Sequence, residues 1–177
     1  MKNSNNTNQI FEEAITLKSQ ERYKEALEIL ERLYADNPNS EEIKNTLINT
    51  LFDYGGHLND YYTLEYEKAK QVFKRITDLS PSDYRAHYNL GIAYFNLNQM
   101  EKAKISFDTA LKIKPDYKYC LYNLGLIYEE MEKYEEALIY YEKALEIDPS
   151  FSYALAAQSE IRRIIHQLKR MKVNQNY

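Results

Sequence analysis

Three histidines, one cysteine and 27 carboxylates are the side chains with which this chain of 177 residues could do acid–base, nucleophilic or metal chemistry. Their spacing supports none of it. His57, His87 and His166 fall in separate segments, without the short, regular intervals that hold zinc. There is no glycine-rich phosphate loop and no nucleophile elbow. Cys120 reads as a small packing residue. The acids are scattered over amphipathic segments, and no two stand apart as a proton-transfer pair. The expectation is a protein that is not an enzyme and carries no cofactor or metal. Recognition chemistry is better represented. The chain has 18 tyrosines, each a large contact surface with one polar handle. Tyr-Asn occurs at 88–89 and again at 122–123, and a side-chain amide can donate and accept at once.

Those dipeptides belong to a longer recurrence. Residues 84–117 and 118–151 share Tyr-Asn-Leu-Gly at positions 5–8 of a 34-residue block, tyrosine at 11, alanine at 20 and 27, an aromatic at 24 and proline at 32. Pro38, Pro81, Pro115 and Pro149 are spaced by 43, 34 and 34 residues. Residues 7–40 fit the block more loosely, with Leu17, Tyr23, Ala26, Leu30 and Pro38 in place. Residues 41–83 fit if nine residues are inserted near 54–62, so that Leu47 and Leu51 take positions 7 and 11 and Phe73 takes 24. Positions 4, 7, 8 and 11 lie on one helical stripe, and 17, 20, 24 and 27 on another. A short polar stretch between them makes an antiparallel helix pair. Gly91 and Gly125 are expected to face Ala103 and Ala137, small against small. Ala110 and Ala144 are expected at the junction with the following helix. Each proline lacks an N–H and ends the second helix. One pair cannot bury its second face, so the stacked array is the folding unit.

The block resembles the tetratricopeptide repeat (TPR) family, over residues 7–151. The resemblance implies an all-α fold: a right-handed α-α superhelix (solenoid) of four TPR helix pairs plus a C-terminal capping helix. The expected boundaries are a disordered N-terminus at 1–6, TPR 1 at 7–40, TPR 2 at 41–83, TPR 3 at 84–117, TPR 4 at 118–151, a capping helix at 152–172 and a frayed tail at 173–177. Departures are local. The family's tryptophan at position 4 gives way to His87 and Leu121 in the last two repeats, and the glycine of position 8 to Ala14 and Ile48 in the first two. In TPR 2, Gly55-Gly56 is expected to break the first helix and Asp60 to cap a second helix that starts early. Tyr54, His57, Tyr61 and Tyr62 would then form a protruding contact.

In TPR arrays the first helices line a concave groove. Carried over position by position, the resemblance selects a peptide-binding groove of Arg85, Tyr88, Asn89, Ile92, Phe95 and Asn96 in TPR 3. In TPR 4 it selects Tyr119, Tyr122, Asn123, Leu126, Glu129 and Glu130, and in the cap Tyr153. TPR 1 adds Phe11 and Ile15; TPR 2 adds Asn45, Asn49 and Phe52. Asn89 and Asn123 are expected to pair with the backbone of an extended ligand, as groove asparagines do in peptide-binding members of the family. Members that hold chaperone tails ending in EEVD use a clamp of lysine, asparagine and arginine. Its places hold Phe11, Ile15, Thr46, Arg85 and Asn89 in one register, and Asn45, Asn49, Asn89, Tyr119 and Asn123 in the other. Neither supplies paired cations, so no chaperone EEVD tail is expected as a partner. The implied function is a non-catalytic protein–protein interaction module or scaffold that binds a peptide segment of a partner protein in its groove. The alternative is structural self-association, as a homo-oligomer, through the convex face, the cap or the insertion.

Charge narrows the partners further. A net charge of −4 argues against a dedicated nucleic-acid binder. The longest apolar run is five residues, so no transmembrane segment is expected. The first nine residues, MKNSNNTNQ, hold no apolar core. A single cysteine fits a reducing compartment, and the expected location is cytoplasmic. TPR 4 carries −5 and residues 152–177 carry +4. The cap is therefore expected to dock by charge complementarity. In the alternative, Arg162, Arg163, Lys169, Arg170 and Lys172 contact an acidic partner or an anionic membrane surface.

Overall fold

The computed structural model describes residues 2–60 and 64–174, with side chains at 6–60 and 64–171. The described residues form nine α-helices and no strand: α1 (Lys2–Ser19), α2 (Tyr23–Asp36), α3 (Glu41–Leu58), α4 (Tyr66–Leu79), α5 (Tyr84–Asn96), α6 (Met100–Ile113), α7 (Lys118–Glu130), α8 (Tyr134–Ile147) and α9 (Ser152–Asn174). Consecutive helices pack as pairs, and α9 covers the last pair. The first helices of neighbouring pairs also touch, α1 with α3 and α7 with α9, so the odd-numbered helices make one layer and the even-numbered ones the other. Each second helix ends two residues before a proline, at Asp36, Leu79, Ile113 and Ile147. Among the described residues no helix is long and apolar enough to cross a membrane.

The ends differ from expectation. Residues 2–6 belong to α1 instead of being disordered. Phe11, Ala14 and Leu17 bury that helix, and extending an existing helix adds a hydrogen bond per residue without a new nucleus. At the other end α9 reaches Asn174; residues 175–177 of the expected frayed tail lie outside the described residues.

One turn leads into all four second helices. Glu21, Leu64, Asn98 and Glu132 are left-handed, with φ of 59°, 51°, 57° and 57°, each two residues before its helix. The following N–H then reaches back to a carbonyl of the first helix: Arg22 to Leu17, Glu65 to Leu58, Gln99 to Tyr94 and Lys133 to Tyr128. This shared bond sets the register of TPR 2. Leu58 stands where Tyr94 and Tyr128 stand. Gly55, three residues earlier, stands where Gly91 and Gly125 stand. Placing Leu47 and Leu51 at positions 7 and 11 is therefore off by seven residues. The insertion is not a loop near 54–62. Seven of its residues lengthen the start of α3, which has 18 residues where α5 and α7 have 13, and two fall after Leu58.

Packing explains why Gly55-Gly56 does not break α3. A Cβ on Gly55 would lie 2.7 Å from the buried ring of Phe73. That close approach outweighs the roughly 1 kcal/mol that a glycine costs in a helix. Asp60 does not cap α4, whose N-cap is Glu65, because the shared turn fixes where α4 begins. Tyr54 and His57 lie against Tyr23, with ring centroids 6.0 and 6.4 Å away, so they do not project; Tyr61 and Tyr62 are outside the described residues.

The same contact recurs in TPR 3 and TPR 4. A Cβ on Gly91 would lie 2.5 Å from Phe107, and one on Gly125 2.3 Å from Tyr141. The glycines face these rings, not Ala103 and Ala137, because a ring laid on a bare Cα fills the gap between helices better than a methyl. A second aromatic meets each of those rings: Phe52 on Phe73 at 6.3 Å, Tyr88 on Phe107 at 5.9 Å and Tyr122 on Tyr141 at 5.7 Å. Ala110 is buried beside Cys120 and Leu124 of α7, and Ala144 beside Phe151 and Ala154. On α9, Arg162 pairs with Glu142 of TPR 4 at 2.9 Å, while Arg163 pairs within its own helix with Glu160 at 2.5 Å. Lys169 and Arg170 are exposed, and the side chain of Lys172 lies outside the described residues.

Candidate functional site

The residue before each first helix decides what its N-terminal end presents. Before α3 and α5 that residue is polar and caps the helix. The Ser40 hydroxyl accepts from the Ile43 N–H at 3.4 Å, and the Asp83 carboxylate from the Arg85 N–H at 3.0 Å, satisfying otherwise orphaned donors. Before α7 and α9 the place is held by Tyr117 and Phe151. Tyr117 makes no side-chain cap bond; its ring packs edge-on against Tyr84 at 5.0 Å and Tyr88 at 5.1 Å, and reaches Tyr119 at 5.4 Å. Phe151 continues the run to Tyr119 at 5.3 Å, Tyr122 at 5.5 Å and Tyr153 at 5.8 Å. Edge-to-face contact is the favoured geometry for such rings. An unbroken aromatic strip thus crosses the N-terminal ends of α5, α7 and α9.

Charges are tied down along the strip. The Lys114 ammonium lies 4.9 Å from the Tyr84 centroid, and Lys118 lies 5.0 Å from Phe151, at cation–π distance. Lys118 also donates to Asp148 at 2.5 Å. That bond, with a further one from Ser150, holds the Asp148 carboxyl down at about 2. Burial pushes the Tyr88 phenol up to about 12. Tyr117 is raised by burial, and Tyr141 by burial and by its 2.5 Å hydrogen bond to Glu129. Burial also pushes the Cys120 thiol up to about 12, far from the thiolate that reaction requires. His87 is half-buried with Nε2 2.8 Å from the Pro81 carbonyl, so it braces the turn before α5. Among the described residues no group of acids, histidines and cysteine could hold a metal ion.

The expected groove residues divide by exposure. Arg85, Asn96, Tyr119, Glu130 and Tyr153 are exposed, with Tyr119 at 41% and Tyr153 at 66%. Asn89, Ile92, Phe95, Tyr122, Leu126 and Glu129 are half-buried. Tyr88 is covered by Tyr117 and Phe107, and Asn123 is only 7% exposed. The Asn123 amide donates to the Tyr119 carbonyl at 2.7 Å, and the Asn89 amide to the Arg85 carbonyl at 2.8 Å. A buried amide must satisfy its donors, and the carbonyl one turn back is within reach. Asn123 is therefore not a free backbone reader. Arg85 is bound to Asp83 at 2.7 Å and lies 4.7 Å from the Phe52 ring.

Tyr84, Tyr117 and Phe151 were missed by sequence reasoning, although an aromatic ends both 34-residue blocks, at 117 and 151. The register of α3 also had a signal. Phe52-Asp53-Tyr54-Gly55 parallels the two Tyr-Asn-Leu-Gly segments.

A family model described as tetratricopeptide repeat matches residues 84–117 and 119–151. The Sgt2 TPR domain from Aspergillus fumigatus is 24% identical, with 70% of this chain and 82% of that one covered and a TM-score of 0.64. MamA is 21% identical over 93% and 97% of the two chains, with a TM-score of 0.62. The second TPR domain of human RPAP3, in complex with the HSP70 peptide SGPTIEEVD, is 19% identical over 67% and 98%, with a TM-score of 0.61. Likeness at these identities speaks for the fold. A comparison with curated protein sequences finds no match.

Proposed function

The chain belongs to the tetratricopeptide repeat family, and from that premise we propose that it is a non-catalytic module holding a peptide segment of a partner protein against its first helices. The observation that carries this reading is the aromatic strip, whose outer rings Tyr119 and Tyr153 are exposed while the rest of it is packed. Exposed rings on a rigid support are costly to leave in water and cheap to order on binding. Affinity capture with the native chain, Tyr119→Ala/Tyr153→Ala and an opposite-layer control, Ile105→Ala/Ile139→Ala, tests it. A partner lost only from the tyrosine variant is expected; equal retention by all three would remove the groove as the site. The reading includes a cytoplasmic setting, which one buried cysteine supports.

An EEVD tail is not the ligand we propose. In the corrected register Asp53 stands at the position of Asn89 and Asn123, and it carries the wrong charge for a carboxylate. Arg85 is already engaged by Asp83. The peptide SGPTIEEVD is expected not to bind measurably, and a dissociation constant near micromolar in calorimetry would overturn this.

Self-association is the second reading. It is favoured by Ile105 and Ile139, which are 65% and 50% exposed at the same place in successive repeats. A mass that stays monomeric in light scattering across a wide concentration range would exclude it.

A further inference from the structure

We infer that the segment held by the groove is a proline-rich one with a basic residue, docked on Tyr119 and Tyr153 and reaching Glu130. This rests on the groove reading above and names its ligand class.

Three observations lead there. First, the exposed surface is a pair of tyrosines that share one buried ring. Tyr119 and Tyr153 both pack on Phe151, at 5.3 and 5.8 Å, and Tyr122 meets the same ring at 5.5 Å. Aromatic-lined grooves of this kind take polyproline II segments, whose prolines at i and i+3 stand about 9 Å apart on one face. Second, the Asn123 amide is withdrawn from the groove. It is only 7% exposed and donates to the Tyr119 carbonyl, so an extended chain loses one of the two backbone partners expected for it. A proline-rich segment has few N–H groups and offers strong carbonyl acceptors. Among the described residues, nothing hydrogen-bonds the Tyr119 and Tyr153 hydroxyls, which remain available to donate. Third, the far end of α7 is negative. Glu130 is exposed, Glu129 is occupied on one side by the Tyr141 hydroxyl, and both sit at the helix C-terminus, where the dipole adds negative potential. A ligand laid along α7 covers roughly 16 Å from Tyr119 to Glu130, which is about five polyproline residues. The basic residue therefore belongs about five positions from the docked prolines.

Fluorescence anisotropy with labelled peptides tests this. The probes are a nine-residue polyproline with one terminal arginine, tried at either end, the same polyproline without arginine, and a Gly/Ser peptide of the same length and charge. The arginine-bearing polyproline is expected to bind at least tenfold more tightly than the Gly/Ser peptide. Tyr119→Ala/Tyr153→Ala should weaken it by about tenfold or more, the scale of two lost contact residues. Glu130→Gln should weaken it about threefold and leave the uncharged polyproline unchanged. Circular dichroism checks that the variants keep their helices. If the alanine variant does not fold, Tyr119→Phe/Tyr153→Phe keeps the rings and should still lose several-fold through the missing hydroxyls. Equal binding of the Gly/Ser peptide, or unchanged affinity in both tyrosine variants, overturns the proposal. If no polyproline binds while a captured partner is still lost from Tyr119→Ala/Tyr153→Ala, the groove stands and the ligand class falls.

Discussion

The front half, α1–α4, and the back half, α5–α9, solve the same packing problem with different parts. In α5 and α7 a glycine lies under an aromatic of the second helix, Gly91 under Phe107 and Gly125 under Tyr141. In α3 the residue that sequence spacing assigns to that place is Ile48, yet the contact is present, made by Gly55 under Phe73 seven residues later. The entrances to the first helices differ too, with the change falling inside the back half: Ser40 before α3 and Asp83 before α5 cap with polar groups, whereas Tyr117 before α7 and Phe151 before α9 pack with rings. The close approach of the paired helices is thus conserved within the molecule even where register is not. The capping site is free to vary, and in the back half it builds the aromatic strip.

Truncating the packed rings should break both halves most severely. Phe73→Ala and Tyr141→Ala are each expected to cost about 3–5 kcal/mol, read by urea unfolding, since both rings are fully buried. A marked difference between them would mean that the two contacts are not equivalent.

Alkali should single out the back half next. Tyr88 keeps its proton in the folded state up to about pH 12, whereas the unfolded chain gives it up near pH 10. Its contribution is complete below about pH 10 and is lost as the pH rises toward the folded value, roughly 3 kcal/mol in all. Tyr88→Phe should flatten the fall of melting temperature between pH 10 and 12; an unchanged fall would assign alkaline loss elsewhere.

Gly125→Ala, Gly91→Ala and Gly55→Ala should follow in that order, at about 1–3 kcal/mol destabilising, because the added methyl meets a buried ring. If Gly55→Ala is neutral while the other two are not, the corrected register of α3 fails. The smallest effect is Gly56→Ala, next door in the same helix. Nothing lies within 4 Å of its added Cβ, so a gain of about 0.5–1 kcal/mol in thermal unfolding is expected from helix propensity alone.

Much of the fold was legible in the chain itself. The prolines mark where α2, α4, α6 and α8 end, and the recurring Leu, Gly and Ala positions in residues 84–151 identify the buried stripes. The site was legible in part. Tyr119, Tyr122 and Tyr153 do come together, but through Phe151, which no motif position had marked. Asn123 was misjudged because position in a repeat fixes the direction of a side chain, not its burial. A neighbouring bulky ring can cover it, and its amide then turns to the nearest carbonyl.

What the sequence by itself determined is periodicity: where helices run, which stripe of each is apolar, and where they stop. Those are consequences of local backbone geometry and of proline's missing donor. The register of α3 against α4 was decided only by tertiary contact. Seven residues are close to two helical turns, so sliding α3 by seven returns nearly the same stripe to the same partner. Pattern alone cannot separate the two placements. The ring of Phe73 can, because only at Gly55 does the backbone leave room for it.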